Sequence, residues 1–135
     1  MRVLVLLLTL LVAATPAAAA PYFANRTLMT FDPGHGTQVE YYDSAGHSWL
    51  WYPGNKLVLP GLWKMQGANL CFNYGPQSYN PVTRQLGGWE CEPLSMQKQY
   101  VVENAKGDVF HLKAGGRVPF ILKPARTSIA RLLGR

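Results

Sequence analysis

The 135-residue chain predicts a small all-β fold: an antiparallel meander closed into a barrel or a strongly bent sheet. Three observations carry that expectation. Turn signals recur at short intervals: Asp43-Ser44-Ala45-Gly46, Pro53-Gly54-Asn55, Gln66-Gly67-Ala68-Asn69, Asn104-Ala105-Lys106-Gly107 and Ala114-Gly115-Gly116. Their residues accept positive φ or fold back on their own backbone. Between them lie runs of the length and composition of strands, rich in Val, Tyr, Phe and Trp. No stretch between residues 36 and 122 shows a convincing helical period.

The first twenty residues read as a secretory leader. Met1-Arg2 precedes an apolar run over residues 3–14, then Pro16 and Ala17-Ala18-Ala19-Ala20. The run is shorter than the ~20 residues of a membrane-crossing helix. Pro21 would hinder a cut directly before it, so cleavage is expected after Ala19, leaving residues 20–135 with no transmembrane span. No cysteine follows the leader to accept a lipid, so export in soluble form is expected. The remaining length suits one domain and one core. The expected division is a leader over 1–19, a β-domain over 20–123 and a basic C-terminal tail over 124–135.

Residues 22–34 fit either a short helix lying on a barrel mouth or a first strand, with Phe23, Leu28 and Phe31 as the apolar positions. Strands are expected in "TQVEYYD", "HSWLWY", "LWKMQ", "LCFNY", "QYVVE", "DVFHL" and "RVPFIL", seven to nine in all once the ends are included. Trp49 and Trp51 share one face of their strand, and Leu70, Phe72 and Tyr74 one face of theirs. Pro119 lacks a ladder donor and places the last strand at an edge or a bulge. In the tail, Ile129, Leu132 and Leu133 fall on one side of a possible helix that is expected to be frayed or loosely docked.

An exported chain with two cysteines points first to a disulfide, Cys71 to Cys91. Closing about 20 residues contributes roughly 3 kcal/mol on the chain-entropy account. The enclosed loop, 75–88, is long for a hairpin in a compact domain, and such loops are usually functional or disordered. It reads either as a preorganised binding loop or as a braced connection.

The formal charge is +6, and +5 without Arg2. From Lys98 onward eight Lys and Arg stand against Glu103 and Asp108, whereas residues 20–97 carry four against five acids. This asymmetry fits an anionic envelope component such as lipid headgroups, lipopolysaccharide or acidic wall polymers, or a basic face that only keeps the domain soluble; a glycan or a protein is the other partner class expected. Nucleic acid is not expected, since no basic-aromatic binding motif occurs.

Chemistry-bearing residues are sparse. Asp32 and His35 lie together in "FDPGHG", where they could form the core of a small hydrolase with His47, or simply serve a Pro-Gly turn. His111, between Phe110 and Leu112, reads as a face-filling strand residue. Asp32, Glu40, Asp43, Glu90 and Glu92 are the carboxylates a glycosidase could pair, and Glu90 and Glu92 share a face. No zinc spacing, Gly-x-Ser-x-Gly elbow, phosphate-cradling loop or dinucleotide fingerprint is present. The chain is therefore read as noncatalytic, without cofactor or metal.

Five Phe, four Trp and seven Tyr exceed what one small core needs. Some must be exposed or line a cavity, unless Trp serves as core filler. Trp49, Trp51, Tyr79, Arg84 and Trp89 are the candidate ligand-binding residues.

The order "GTQVEYYDSAGHSWLWYPG", "GLWKMQGANLCFNYG", "WECEPL", "GDVFHLKAGG" resembles a group of small exported proteins of Gram-negative bacteria classed as a domain of unknown function. The resemblance covers roughly residues 36–116. It implies a periplasmic location, a compact β-fold and a Cys71–Cys91 bridge, and no activity. The segment "GPQSYNPVTRQLGG" is longer than that pattern's spacing. A fainter likeness is to periplasmic lysozyme inhibitors, also small disulfide-bearing barrels; their inhibitory motif is not reproduced, and a basic surface would repel basic lysozyme.

Overall fold

A computed structural model describes residues 20–134. The leader and its cleavage position after Ala19 lie outside the described residues. A short helix, α1 (Ala20–Phe23), leads into β1 (Arg26–Asp32), β2 (Gly36–Tyr42), β3 (His47–Trp51), β4 (Leu59–Gln66) and β5 (Asn69–Asn73). The loop inside the cysteines holds β6 (Tyr79–Asn80) and β7 (Gln85–Leu86), and β8 (Glu90–Pro93) follows. The chain then forms α2 (Leu94–Tyr100), β9 (Val101–Lys106) and α3 (Ile129–Leu132).

Seven strands make one antiparallel, half-barrel sheet in the order β8-β5-β4-β3-β2-β1-β9, with β6 and β7 paired separately. Of the two expected forms, the structure is the strongly bent sheet. The meander runs from β1 to β5 by tight turns, except for the longer β3–β4 loop over residues 52–58. The Asp32 carboxylate accepts from the backbone N–H groups of Gly34 (2.8 Å) and His35 (2.9 Å) to fold the first. Asp43 does the same for Ala45 and His47 in the second, both at 2.9 Å.

Alternation divides the core between the two faces of the sheet. Met29, Val39, Tyr41 and Trp51 face one way, where residues from the 107–133 segment cover them: Phe110, Leu112, Val118, Leu122 and Ile129. Leu28, Tyr42, Trp63 and Leu70 face the other way, against Phe23 of α1 and Leu94 of α2. Gly36, at φ 74°, is where the covering segment is pinned. A Cβ there would lie 2.7 Å from Pro124, whose carbonyl accepts from Thr37 N–H (3.1 Å).

Four expectations about elements are corrected. "DVFHL" is a turn, because the Asp108 carboxylate takes the N–H groups of Leu112 and Lys113 (both 2.8 Å) and curls the chain into a 3₁₀ turn at Leu112–Ala114. His111 accordingly sits at φ 57° and is exposed rather than filling a strand face. "RVPFIL" does not join the sheet: it makes one isolated bridge, Arg117 to Leu57 of the β3–β4 loop, and Pro119 has no N–H to extend it. Helix α2, preceded by Pro93, takes the first residues of "QYVVE"; it is too short to display a period in sequence.

The tail is also docked rather than frayed. Ser128 caps α3 by accepting from Arg131 N–H (3.2 Å), and Glu103 of β9 accepts from Ile129 N–H (3.1 Å). Ile129 is buried, and Leu132 and Leu133 pack on the same cluster. Residues 22–34 resolve as the short helix followed by the first strand.

Candidate functional site

The sheet face covered by α1 and α2 is apolar beneath those helices and polar toward the β1–β2 turn. Register places Asp32 of β1, Glu40 of β2, Tyr74 after β5, and Glu90 and Glu92 of β8 on this face. Two hydrogen-bonded groups result.

The first is buried. The Glu40 carboxylate accepts from Tyr42 OH (2.8 Å) and from Tyr74 OH (2.9 and 3.0 Å to its two oxygens). Burial raises the Glu40 pKa from 4.5 to about 7, although the Tyr42 and Tyr74 hydroxyls pull it the other way. Both phenols are pushed well above their usual value by burial and by the carboxylate. Ser48 Oγ, fully buried beside them, has no partner at hydrogen-bonding geometry. Tyr74 reaches Glu40 by crossing Gly61, where a Cβ would lie 2.6 Å from the ring.

The second group joins the stapled loop to the sheet. His35 Nδ1 lies 3.0 Å from the Asp32 carboxylate, and His35 Nε2 lies 3.1 Å from Asn80 Oδ1. That oxygen also accepts from Val82 N–H (3.0 Å) and Thr83 N–H (3.3 Å), while Asn80 Nδ2 donates to Glu90 (3.0 Å). The amide orientation is thus set by its partners. Both ring nitrogens of His35 thus face oxygen atoms, one on the sheet turn and one on the loop. Burial raises the Asp32 pKa, but the backbone and ring of His35 outweigh it and hold the carboxyl below its usual range. Glu92, half-buried nearby, is raised by burial and by its neighbours Asp32 and Glu90, with His35 opposing.

Asp32 and His35 therefore meet, as a hydrolase reading requires. However, Nε2 is committed to Asn80, and among the described residues no Ser, Thr or Cys bonds to the ring. His47 is engaged elsewhere, 3.3 Å from Asp43, which also accepts from Lys113 (3.2 Å). Among the described residues no group of three His, Cys, Asp or Glu side chains could hold a metal. Glu40 has the proton affinity of a general acid but is 6 % exposed.

The five candidate ligand residues separate. Trp51 is fully buried, its ring edge-on to Phe110 and Phe120 and its Nε1 donating to Phe120 O (3.1 Å), so it is a core residue and presents no ring to a ligand. Trp49 is partly exposed, stacked on Tyr41 at 5.8 Å with Lys113 Nζ 5.3 Å from its ring. Tyr79, Arg84 and Trp89 cluster in sequence around β6 and β7 and are all exposed. Arg84 occupies the left-handed region at the hairpin tip, φ 59°, and Lys64 lies 4.1 Å from the Trp89 ring. Val82 and Leu86 were not singled out from sequence, yet both project from the same hairpin.

Cys71 and Cys91 are disulfide-bonded at the base of this loop. Among the described residues no helix is long and apolar enough to cross a membrane. No family model, curated protein or solved structure matches the chain.

Proposed function

We propose that this chain is an exported, noncatalytic binding protein whose recognition element is the hairpin of residues 79–86. One observation carries the reading: Tyr79, Val82 and Leu86 stand 59, 50 and 66 % exposed on a segment that its surroundings hold in one conformation. The disulfide closes the loop, the Asn80 bonds to His35 and Glu90 tie it to the sheet, and Gly87 N–H to Ser78 O (2.7 Å) closes the hairpin itself. Apolar side chains left in water on an ordered loop lower the ordering cost of association.

The chemistry fits a protein partner. Aliphatic Val82 and Leu86 beside Tyr79 suit an apolar hollow, and Arg84 suits a carboxylate at its rim. Export is supported by the leader-like residues 1–19 and by the disulfide.

The test is site-directed photo-crosslinking from position 79 or 86 in native envelope preparations, compared with Tyr79→Ala/Leu86→Ala and Arg84→Ala proteins in quantitative pull-downs. One discrete adduct, depleted at least tenfold by the double variant, is expected. Unchanged recovery from all three proteins, or capture of a glycan with no protein adduct, would overturn the reading.

A further inference from the structure

A second surface is formed where residues 116–123 lie against the β3–β4 loop. Val58 N–H donates to Gly116 O (2.8 Å), Val118 N–H to Lys56 O (3.1 Å) and Gly54 N–H to Leu122 O (3.0 Å). Val118 and Leu122 are buried here, while Leu57, Phe120 and Ile121 stay 57, 46 and 49 % exposed, Phe120 with one side of its ring against Trp51. Between them is a shallow depression of about 320 Å³ lined by Lys56, Arg117, Val118, Phe120 and Ile121. Lys123, two residues beyond Ile121, is also exposed.

The charge of this surface is one-signed. No Asp or Glu occurs between Asp43 and Glu90 or after Asp108, so neither segment that builds the patch carries a carboxylate. Elsewhere six of the seven acids, Asp32, Glu40, Asp43, Glu90, Glu103 and Asp108, accept hydrogen bonds within the fold, and Glu92 is half-buried. Among the described residues, Lys113 is the one lysine or arginine in an ion pair with a carboxylate. Cations at Lys56, Arg117 and Lys123 thus surround three projecting apolar side chains with no counter-charge of their own.

We infer that this patch is a docking surface for an anionic lipid bilayer, with Leu57, Phe120 and Ile121 entering the headgroup boundary and Lys56, Arg117 and Lys123 meeting lipid phosphates. Cations alone would suit any polyanion. The apolar triad among them selects a surface that has a hydrocarbon layer beneath its charge. The inference stands apart from the hairpin reading, because it uses none of its residues.

Vesicle co-sedimentation of residues 20–135, the stretch that forms the fold, tests it free of the apolar leader. Binding is expected to phosphatidylglycerol vesicles and not to phosphatidylcholine vesicles. Lys56→Gln/Arg117→Gln/Lys123→Gln lowers partitioning on the order of 100-fold, from about fivefold per cation near an anionic surface. Leu57→Ser/Ile121→Ser, neither of which fills the core, lowers it about tenfold. Lys98→Gln, on the helix covering the opposite sheet face, changes it less than twofold, and Tyr79→Ala/Leu86→Ala leaves it unchanged. Absence of vesicle binding, equal loss from Lys98→Gln, or full retention by Leu57→Ser/Ile121→Ser would overturn the inference. In the last case, displacement by soluble polyphosphate would identify the patch as a site for acidic polymer.

Discussion

Replacing Glu40 by Gln should make the protein more stable in mild alkali and leave it nearly unchanged in acid. Glu40 is raised from 4.5 to about 7 by burial. Below pH 4.5 the carboxyl is protonated in folded and unfolded chains alike, and folding bears no cost from it. As pH rises toward 7 the unfolded chain gives up the proton while the folded one keeps it, so stability falls. Above about 7 both states are ionised and the loss is complete. The gap between the two values corresponds to about 3 kcal/mol. Gln does not titrate. Its oxygen can accept from Tyr42 and Tyr74, and its amide can donate to Ser48 Oγ, which is buried without a partner. Urea unfolding of both proteins from pH 4.5 to 8.5 should show curves that agree within about 1 kcal/mol in acid and diverge by up to about 3 kcal/mol in alkali. Other titrating groups are shared and cancel in the difference. Parallel curves, or a variant that is less stable at pH 8.5, would refute the account of a carboxyl held against its preference for water.

Gly61→Ala should cost about 1–3 kcal/mol, because a Cβ 2.6 Å from Tyr74 Cδ1 and 3.0 Å from Ser48 Oγ must displace the ring from Glu40; in a Tyr74→Ala background the cost should largely vanish, and a fully additive double-mutant cycle would disprove the coupling. Removing both cysteines as Cys71→Ala/Cys91→Ala should lower unfolding stability by about 3 kcal/mol, measured by urea midpoint, since the bridge spans 20 residues. Asn80→Ala should speed amide exchange at Arg84 and Gly87 at least tenfold while the β2–β3 ladder stays protected; uniform exchange across both regions would show that the hairpin is not latched through Asn80. Acid should act through Asp32 and Asp43: each is held below the usual 3.8 despite burial, so each stabilises the fold above that value and ceases to as pH falls through its lowered one. Asp43→Asn should therefore flatten the acid limb of the stability profile.

Much of the sheet was legible because its signals are local. Alternation in "GTQVEYY" and "HSWLW" places Val39, Tyr41 and Trp51 on one face, and Asp43 with Gly46 makes the turn between them. The disulfide was legible from two cysteines behind a leader-like segment. What failed were segments whose form depends on distant partners. Composition marked 108–112 and 117–122 as strands, yet side-chain capping by Asp108 and the absence of an N–H at Pro119 made them a cover over the sheet. Trp51 was grouped with ligand-binding aromatics because strand periodicity tells which residues share a face and not which face is covered. The Glu40 cluster escaped notice for the same reason. A carboxylate between Val39 and Tyr41 reads as the solvent side of an amphipathic strand, and only the bend of the sheet brings Tyr74 over it. His35 and Asp32 were visible as neighbours, but Asn80, which fixes what His35 can do, lies 45 residues away.

The position of β1 between β2 and β9 has a consequence for how the molecule is made. A ribosome finishes Arg26–Asp32 long before it reaches the partner that pairs Met29 with Glu103, or Pro124, whose carbonyl receives Thr37. Until then the nascent hairpins present an open strand edge and a bare layer of Met29, Val39 and Trp51. A chain stopped short of Ile129 would keep part of that layer wet, so shortened translation products should aggregate or be degraded instead of accumulating as smaller folded forms.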